Sequence, residues 1–254
     1  TRTDERARAL AQATRRRPRD FRTFWIRELI TMVTIKKDKQ ITLPELRFPG
    51  FEDEWQLEPL SKVLDEHKRK NDDECPVFSV SQEQGLINQI EHLGRSFSAK
   101  NTSNYNKVGP HDVVYTKSPL RDYPYGIVKQ SRININVAVS PLYGTFAPLN
   151  KHLGVIVEAF FESPYRSKSF IGPLAQKGAK NTINITNATF LSGLMAWPKS
   201  EAEQQKIASV LTAADAEIEV FEAKLAHFKQ EKKALMQQLL TGKRRVKVDE
   251  EVAA

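Results

Sequence analysis

The hydrophobic pattern is clearest in the last quarter of the chain, where apolar residues recur at alternating spacings of four and three. No proline or glycine interrupts residues 199–241, and Ser200-Glu201-Ala202-Glu203 directly after Pro198 is typical of a capped helix start. The pattern therefore predicts one helix over residues 199–243, in which Ser200 to Thr241 alone makes a rod of roughly 60 Å at 1.5 Å per residue. The a/d positions of its heptads predict a helix–helix interface, interrupted by the polar Lys232. These seam positions are Ile207, Leu211, Ala214, Ile218, Phe221, Leu225, Phe228, Leu235 and Leu239.

The charge pattern of this helix favours one orientation of a partner. Residues 201–222 carry about six acidic side chains and one basic one, whereas residues 223–247 carry about one acidic and eight basic ones. A parallel copy would place like charges together, so we expect an antiparallel second copy of the chain. Packing of the helix on its own domain is the alternative.

Residues 43–198 combine short β-rich runs with one helical pattern. Gly/Pro-containing turns separate the runs that predict strands, which are Val77–Val80, Val113–Thr116, Gly126–Val128 and Ile133–Val139. Apolar residues at helical spacing predict a helix over Leu153–Phe161, and the charged run Asp65–Glu74 is typical of a surface loop. We expect an α+β fold: one mixed α/β domain with a bent sheet, followed by the long coiled-coil-forming helix.

Composition excludes several classes of protein. The chain has 254 residues, 40% of them hydrophobic, so it can bury a core. Its one cysteine, Cys75, excludes a disulfide scaffold and a Cys-rich metal site. No apolar run approaches the roughly 18 residues of a membrane span. We therefore expect a cytoplasmic protein with no membrane partner.

The net charge of +8 is unevenly distributed. Residues 1–40 carry about +7, residues 41–94 about −7, residues 95–180 about +8, and the remainder is neutral. The block at 95–180 favours DNA binding because it lies within the predicted domain. Residues 1–42 are expected to form a basic, poorly ordered extension, for which a DNA-contacting arm and a mitochondrial transit peptide are alternatives. Residues 244–254 form a basic and then acidic tail.

The sequence lacks the specific motifs of two enzyme classes and has no convincing Asp…Glu-x-Lys cluster of a nuclease, although that last motif is too loose to exclude a nuclease. It has no Asn/Asp-Pro-Pro-Tyr/Phe element of adenine methyltransferases and no Gly-x-x-x-x-Gly-Lys-Ser/Thr phosphate loop. His111-Asp112 follows Gly109-Pro110 and is more typical of a turn than of a catalytic pair. The five histidines lack metal-ligand spacing. We expect no catalytic residue, no metal and no cofactor.

Four groups of residues resemble the specificity (S) subunits of type I restriction–modification systems. They are Leu46–Phe51 with Trp55, Val113-Val114-Tyr115 with Val139-Ser140-Pro141 and Tyr143, Phe190 with Trp197-Pro198 and Glu203–Ala208, and Leu235–Val246. The resemblance covers about residues 43–248; residues 1–40 have no recognised counterpart. It implies that residues 43–198 form a target recognition domain and that residues 199–243 form the family's conserved helix.

The resemblance also implies a function and partners. Such a subunit binds double-stranded DNA, performs no chemistry itself, and directs methyltransferase subunits and, for restriction, nuclease–translocase subunits to a bipartite site. A full subunit has two recognition domains and two conserved helices, whereas this chain has one of each. It therefore resembles a half-size subunit, or half of a longer one, that dimerises. The alternative is a self-standing DNA-binding or scaffold protein, or the recognition half of a one-chain restriction enzyme.

Candidate DNA contacts are the polar and basic residues of the block at 95–180, because phosphates bind Lys and Arg and base edges bind Arg, Lys, Asn or Gln. Three clusters and one single residue meet this description; the alternative for each is a solvated loop. They are Arg95, Lys100, Asn101, Tyr105 and Lys107 in the first cluster, Lys117, Ser118 and Arg121 in the second, Lys177, Lys180 and Asn181 in the third, and Arg132 alone.

Overall fold

The computed structural model describes residues 41–42, 47–89, 101–177 and 183–245. The chain divides into two compact units, one up to Leu211 and one from Thr212. The first unit contains the strands β1 (Ile41–Thr42), β2 (Trp55–Pro59), β3 (Leu64–Glu66), β4 (Phe78–Ser81), β5 (Gly85–Asn88), β6 (Asn106–Val108), β7 (Val113–Tyr115), β8 (Val128–Gln130), β9 (Val137–Val139), β10 (Gly144–Pro148), β11 (Gln176–Lys177), β12 (Ile183–Asn184) and β13 (Leu194–Trp197). The helices are α1 (Lys151–Phe161), α2 (Pro164–Ile171), α3 (Asn187–Leu191) and α4 (Glu201–Leu240), with a 3₁₀ turn at Leu60–Lys62.

The predicted α+β architecture is confirmed. A four-stranded antiparallel sheet in the order β3-β10-β7-β8 forms the centre, and a three-stranded sheet has the order β1-β2-β13. The pairs β4-β5, β6-β9 and β11-β12 complete the strands of the described ranges. Helix α1 packs against β8 and β10 of the central sheet.

The central strand β7 is buried on both faces. Val113 and Tyr115 belong to the main core, whereas Val114 belongs to a smaller core beneath β4, β5, β6 and β9. Successive side chains of a strand point to opposite faces, so β7 separates the two cores. In the main core the Tyr115 ring stacks on Phe190 at 4.5 Å between centroids.

The charged run Asp65–Glu74 begins in a strand and continues as the surface loop that its charge pattern predicted. Leu64–Glu66 is a strand, and the backbone continues to pair beyond it: His67 N donates to Thr145 O at 3.1 Å, and Asn71 N donates to Tyr105 O at 3.1 Å. Lys107 N donates to Arg69 O at 2.8 Å. The loop prediction was wrong only for Asp65 and Glu66, which lie in β3; residues 67–74 form a mostly exposed connection with one isolated bridge at Lys70, as predicted.

The long helix α4 extends over Glu201–Leu240, within a residue or two of the interruption-free stretch of the sequence. Its first part belongs to the first unit. Ile207 packs on the main core, and Leu211 packs with Val155 and Ala159 of α1. These two predicted seam positions are therefore covered within the chain, whereas most of the seam from Ala214 onward is exposed. None of the helices in the described ranges combines the length and the apolar character of a membrane span.

Candidate nucleic-acid interface

Four chain segments meet at one edge of the first unit. Antiparallel pairing places Tyr115, the last residue of β7, beside Val128 at the start of β8 and beside Gly144 at the start of β10. It also places Asn106, the first residue of β6, beside Val139 at the end of β9. The segments 101–106, 116–127 and 140–143 therefore share one edge, and the hydrogen bond from Asn71 N to Tyr105 O brings the segment 68–71 to it. We call this the loop edge.

The first predicted cluster lies at the loop edge as far as the structure describes it. Asn101 is exposed, and its Oδ1 accepts from Ser103 N at 2.9 Å. Tyr105 is half-buried near Tyr143 of the neighbouring turn. Lys107 is paired with Asp73, and this hydrogen bond raises the pKa of the Lys107 ammonium group. Asp73 therefore offsets the charge of Lys107, which makes it a weaker phosphate ligand than an unpaired lysine would be. Arg95 and Lys100 lie outside the described residues.

The second cluster occupies the loop between β7 and β8. Arg121 and Ser118 are exposed, and Lys117 is half-buried. Burial lowers the pKa of the Lys117 ammonium group, and the negative charge of Glu66 offsets part of this effect. A partly desolvated cation at a protein edge gains from an incoming anion such as a phosphate. The loop thus presents Lys117, Ser118 and Arg121 along one connection.

This loop is braced rather than loose. Tyr115 Oη donates to Tyr125 O at 2.7 Å, Tyr123 Oη donates to Glu162 O, and Ile127 N donates to Thr116 Oγ1 at 3.2 Å. At the tip, the backbone groups of Leu120 and Tyr123 bond to each other in both directions. A braced loop holds its side chains in place before a ligand arrives, which lowers the entropy lost on binding.

Gly126 lets this loop return close to its own start. The φ angle of Gly126 is +91°, and a Cβ atom there would approach Lys117 N to 2.7 Å. Lys117 itself has a positive φ of 56°. Only glycine fits at Gly126, because any side chain would strain the backbone and collide with Lys117.

The third cluster lies mostly outside the described residues. Lys180 and Asn181 are not described, and of Lys177 only the backbone is placed, in β11 paired with β12. Beyond β12 the chain enters α3, where Asn187 Nδ2 donates to Glu66 Oε1 at 2.9 Å. Asn187 Oδ1 also lies 2.8 Å from the point where a Cβ atom of Gly144 would be. The chain that follows the β11–β12 hairpin thus adjoins the start of β10 at the loop edge.

Arg132 does not lie at the loop edge. It follows the far end of β8, and its Nη2 lies 3.3 Å from Glu158 Oε2 on α1. Glu158 in turn lies 3.3 Å from the Nζ of the buried Lys129, which also contacts Glu162 at 2.9 Å. The structure therefore separates Arg132 from the other candidates and places it in an ion-pair network on α1.

Sequence reasoning missed the basic run Lys68-Arg69-Lys70, because it lies in an acidic stretch of the chain. Lys70 Nζ donates to Asn104 O at 3.0 Å and to Asn106 Oδ1 at 2.9 Å, so it joins the first cluster directly. Arg69 is held by Asp112 at 2.5 Å, with half of its side chain exposed. The signal that could have identified this run as a candidate DNA contact was its three consecutive basic residues.

Asp112 has a structural role, as the turn prediction for His111-Asp112 implied. Its Oδ2 accepts from Gly109 N at 2.6 Å and lies 3.0 Å from His67 Nε2. His111 is exposed and has a positive φ of 68° in the turn. Within the described ranges, no group of three His, Cys, Asp or Glu side chains is arranged to hold a metal ion.

A buried ion pair links the start of α4 to the chain around β2. Glu203, only 1% exposed, accepts from Arg47 Nε and Nη2 at 2.7 Å each and from Trp55 Nε1 at 3.2 Å. The next residue, Gln204, donates to Pro198 O at 2.8 Å and accepts from Asn150 Nδ2 at 2.9 Å. The start of α4 is thereby fixed to β2 and, through Asn150, to the cap of α1. We call the Arg47–Glu203–Trp55 group the helix clamp.

In the second unit, the predicted seam is largely exposed in the single chain. Phe221 is 58% exposed and Phe228 is 62% exposed, whereas Ile218 and Leu235 are half-buried. Ala214, Leu225 and Leu239 are exposed as well. Aromatic and aliphatic side chains at this spacing favour a partner that covers them.

No protein-family model matches the sequence, and no curated protein matches it either. Solved structures do resemble the chain. The type I restriction–modification S subunit from M. genitalium aligns with a TM-score of 0.51 at 10% identity, over 93% of this chain and 57% of that one. The HsdS subunit from Thermoanaerobacter tengcongensis aligns with a TM-score of 0.46 at 15% identity, over 93% and 54%. A chain from a study of complex assembly and conformational transition of the type I R-M system aligns with a TM-score of 0.47 at 15% identity, over 94% and 57%.

The match to the M. genitalium S subunit shows a shared fold. This chain spans a little over half the length of the three structures.

Proposed function

We propose that this chain is a specificity subunit of a type I restriction–modification system, a DNA-binding protein without chemistry of its own. The loop edge carries this proposal: it gathers the described parts of two predicted DNA-contacting clusters and the run Lys68-Arg69-Lys70. The fold shared with the M. genitalium S subunit supports the class.

The loop edge suits DNA in both charge and shape. Arg121 is exposed, Lys117 is partly desolvated, and Lys70 lies beside the amide of Asn106. Cationic side chains bind phosphates and supply affinity, whereas amides and arginines on braced loops recognise base edges. We therefore assign phosphate contacts to Lys70 and Lys117 and a base or phosphate contact to Arg121.

The partners follow from the proposed class. Methyltransferase subunits would bind to the assembled protein, and restriction or translocase subunits would join for cleavage. The chain would then direct methylation and restriction to a bipartite site, with one recognition domain for each half.

The seam of α4 supports a second copy of the chain as the partner that supplies the other half. The uncovered part begins at Ala214, where Asp215, Glu217 and Glu219 form the acidic half. Lys229, Lys232 and Lys233 lie in the basic half, so an antiparallel copy brings opposite charges together. Lys232, at a seam position, would face the acidic half of its partner and set the register. A two-fold dimer of this kind binds two identical half-sites in inverted orientation, about one helical turn apart.

A selection experiment tests the proposal. The purified chain is mixed with randomised double-stranded DNA, and bound sequences are recovered over several rounds. We expect an inverted repeat with an unread spacer. Binding without sequence preference would refute the specificity role and leave a general DNA-binding or scaffold protein. A single, undivided motif would refute the dimer and retain DNA recognition.

A further inference from the structure

The turn between β9 and β10 carries an exposed apolar residue into the loop edge. Leu142 is 76% exposed, and Pro141 beside it is exposed as well. The turn is closed by two hydrogen bonds: Tyr143 N donates to Ser140 O at 3.1 Å, and Leu142 N donates to Ser140 Oγ at 3.3 Å. Leu142 is therefore held out towards solvent by a defined turn.

Leu142 has the most exposed large apolar side chain described at the loop edge; Leu120, in the loop of Lys117 and Arg121, is 41% exposed. On one side, Asn106 Nδ2 donates to Tyr143 O at 3.0 Å, which ties the turn to the first cluster. On the other side, Gly144 pairs with Tyr115, which leads into the loop of Lys117 and Arg121. Leu142 thus lies between the two described clusters, where an arriving duplex would cover it.

The shape of the turn favours the major groove. A four-residue turn brings its two end Cα atoms within about 7 Å of each other, which makes a narrow tip. The major groove of B-DNA is about 12 Å wide and accepts such a tip, whereas the minor groove is about 6 Å wide. The apolar group that base edges present in the major groove is the 5-methyl group of thymine.

We infer that Leu142 is a specificity-determining residue that contacts the 5-methyl group of a thymine in the major groove. The inference rests on the proposed DNA-recognition function and adds one apolar contact to it. Lys117, Arg121 and Lys70 hold the duplex, while the closed turn places the Leu142 side chain against one base pair. Covering the thymine methyl group removes apolar surface from water on both partners.

Deoxyuridine tests this contact, because it pairs as thymidine does and lacks only the methyl group. The preferred duplex is first selected with the purified full chain. A set of duplexes is then made, each with one thymidine replaced by deoxyuridine. Dissociation constants are measured by fluorescence anisotropy. We expect one position in each half-site at which the replacement weakens binding about fourfold, which is the ~0.8 kcal/mol of one buried methyl group converted at 1.4 kcal/mol per factor of ten. Leu142→Ala should bind the thymine and uracil duplexes equally at those positions.

Leu149→Ala is the matched control. Leu149 is 70% exposed and follows the opposite end of β10, away from the loop edge. This variant should keep the fourfold preference for thymine. Both residues are exposed, so neither substitution should affect folding.

The outcomes separate this inference from the function on which it rests. If the wild-type chain selects no sequence, both fail. If it selects a sequence but tolerates uracil at every position, or if Leu142→Ala keeps the preference, the thymine contact is refuted and DNA recognition stands. Loss of DNA bending in Leu142→Ala without any uracil effect would instead identify Leu142 as a wedge between base steps and would also overturn the methyl contact.

Discussion

Replacing Arg47 with methionine should strongly destabilise the first unit, because it leaves a charge buried without its partner. The carboxylate of Glu203 is 1% exposed and receives two of its three hydrogen bonds from Arg47. The hydrogen bond to Glu203 raises the pKa of the Arg47 guanidinium group, so the arginine stays charged. Methionine keeps most of the side-chain volume and removes the charge.

The expected cost can be worked out from the helix clamp. Removing one partner of a buried ion pair costs about 3–5 kcal/mol. Because 13% of the Arg47 side chain reaches solvent and Trp55 Nε1 still donates to Glu203, we expect the lower end, about 3 kcal/mol. Adding Glu203→Gln to Arg47→Met removes the stranded charge and keeps an oxygen acceptor for Trp55. The double variant should therefore be more stable than Arg47→Met alone by about 1–2 kcal/mol.

Urea unfolding followed by tryptophan fluorescence measures these differences, since Trp55 and Trp197 are buried in the first unit. Lys206→Met is the control, because Lys206 is an exposed basic residue of α4 one turn from Glu203, 5.7 Å from the centre of the Phe48 ring. It should cost less than about 1 kcal/mol. If Arg47→Met costs no more than this control, or if the double variant is as unstable as the sum of its single variants, the helix clamp does not hold α4 in the way described.

Three further predictions concern DNA binding, assembly and activity. Arg121→Ala or Lys180→Ala should weaken DNA binding; a lost phosphate contact flattens the salt dependence, whereas a lost base contact costs about 1–3 kcal/mol and relaxes the sequence preference. Lys107→Ala should weaken binding less, because Asp73 pairs with Lys107. If Arg121→Ala and Lys180→Ala both keep the wild-type affinity across a salt series, these two basic residues are only solvated surface. Ile218→Asp or Leu225→Asp should dissociate the dimer in sedimentation experiments and leave the first unit folded. Val220→Asp, outside the seam and at a residue that is 51% exposed, should leave the dimer intact. A wild-type monomer at micromolar concentration would contradict the antiparallel pairing. The purified chain should neither methylate nor cleave DNA with S-adenosylmethionine, ATP and magnesium present, and turnover by a homogeneous preparation would show that it is an enzyme.

The long helix was predictable because every local signal in it agrees. The capping pattern after Pro198, the absence of proline and glycine, and the heptad spacing indicate the same element, and α4 was found at Glu201–Leu240. The helix predicted at Leu153–Phe161 was also found, two residues longer at its start, where Asn150 accepts from His152 N and Leu153 N. Strong periodicity and capping are local properties, so one sequence is enough to recognise them.

The short strands were less predictable because their bounds depend on pairing partners. The β-rich run Ile133–Val139 forms a strand only at Val137–Val139, where β6 pairs with it. The run Gly126–Val128 begins with the tightly packed return of the loop at Gly126, and its strand starts at Val128. Helix α2 was overlooked even though Ser163 followed by Pro164 is a helix-start signal.

The candidate site was predictable as a set of residues but not as a surface. Composition alone cannot show that the loops of Tyr105 and Arg121 share an edge, because their proximity follows from the antiparallel registers of β6, β7, β9 and β10. The same registers separate Arg132 from this edge and bring Lys70 to it. The helix clamp likewise joins Arg47 and Glu203, which lie 156 residues apart in the sequence.

Methylome sequencing tests the central claim most directly. A strain that carries the protein is compared with a deletion strain and with the deletion strain complemented by the wild-type chain. The account predicts adenine methylation at a bipartite sequence in the first strain, its loss on deletion and its return on complementation. An unchanged methylation pattern after deletion would contradict the proposal that this chain directs a type I methyltransferase to its site.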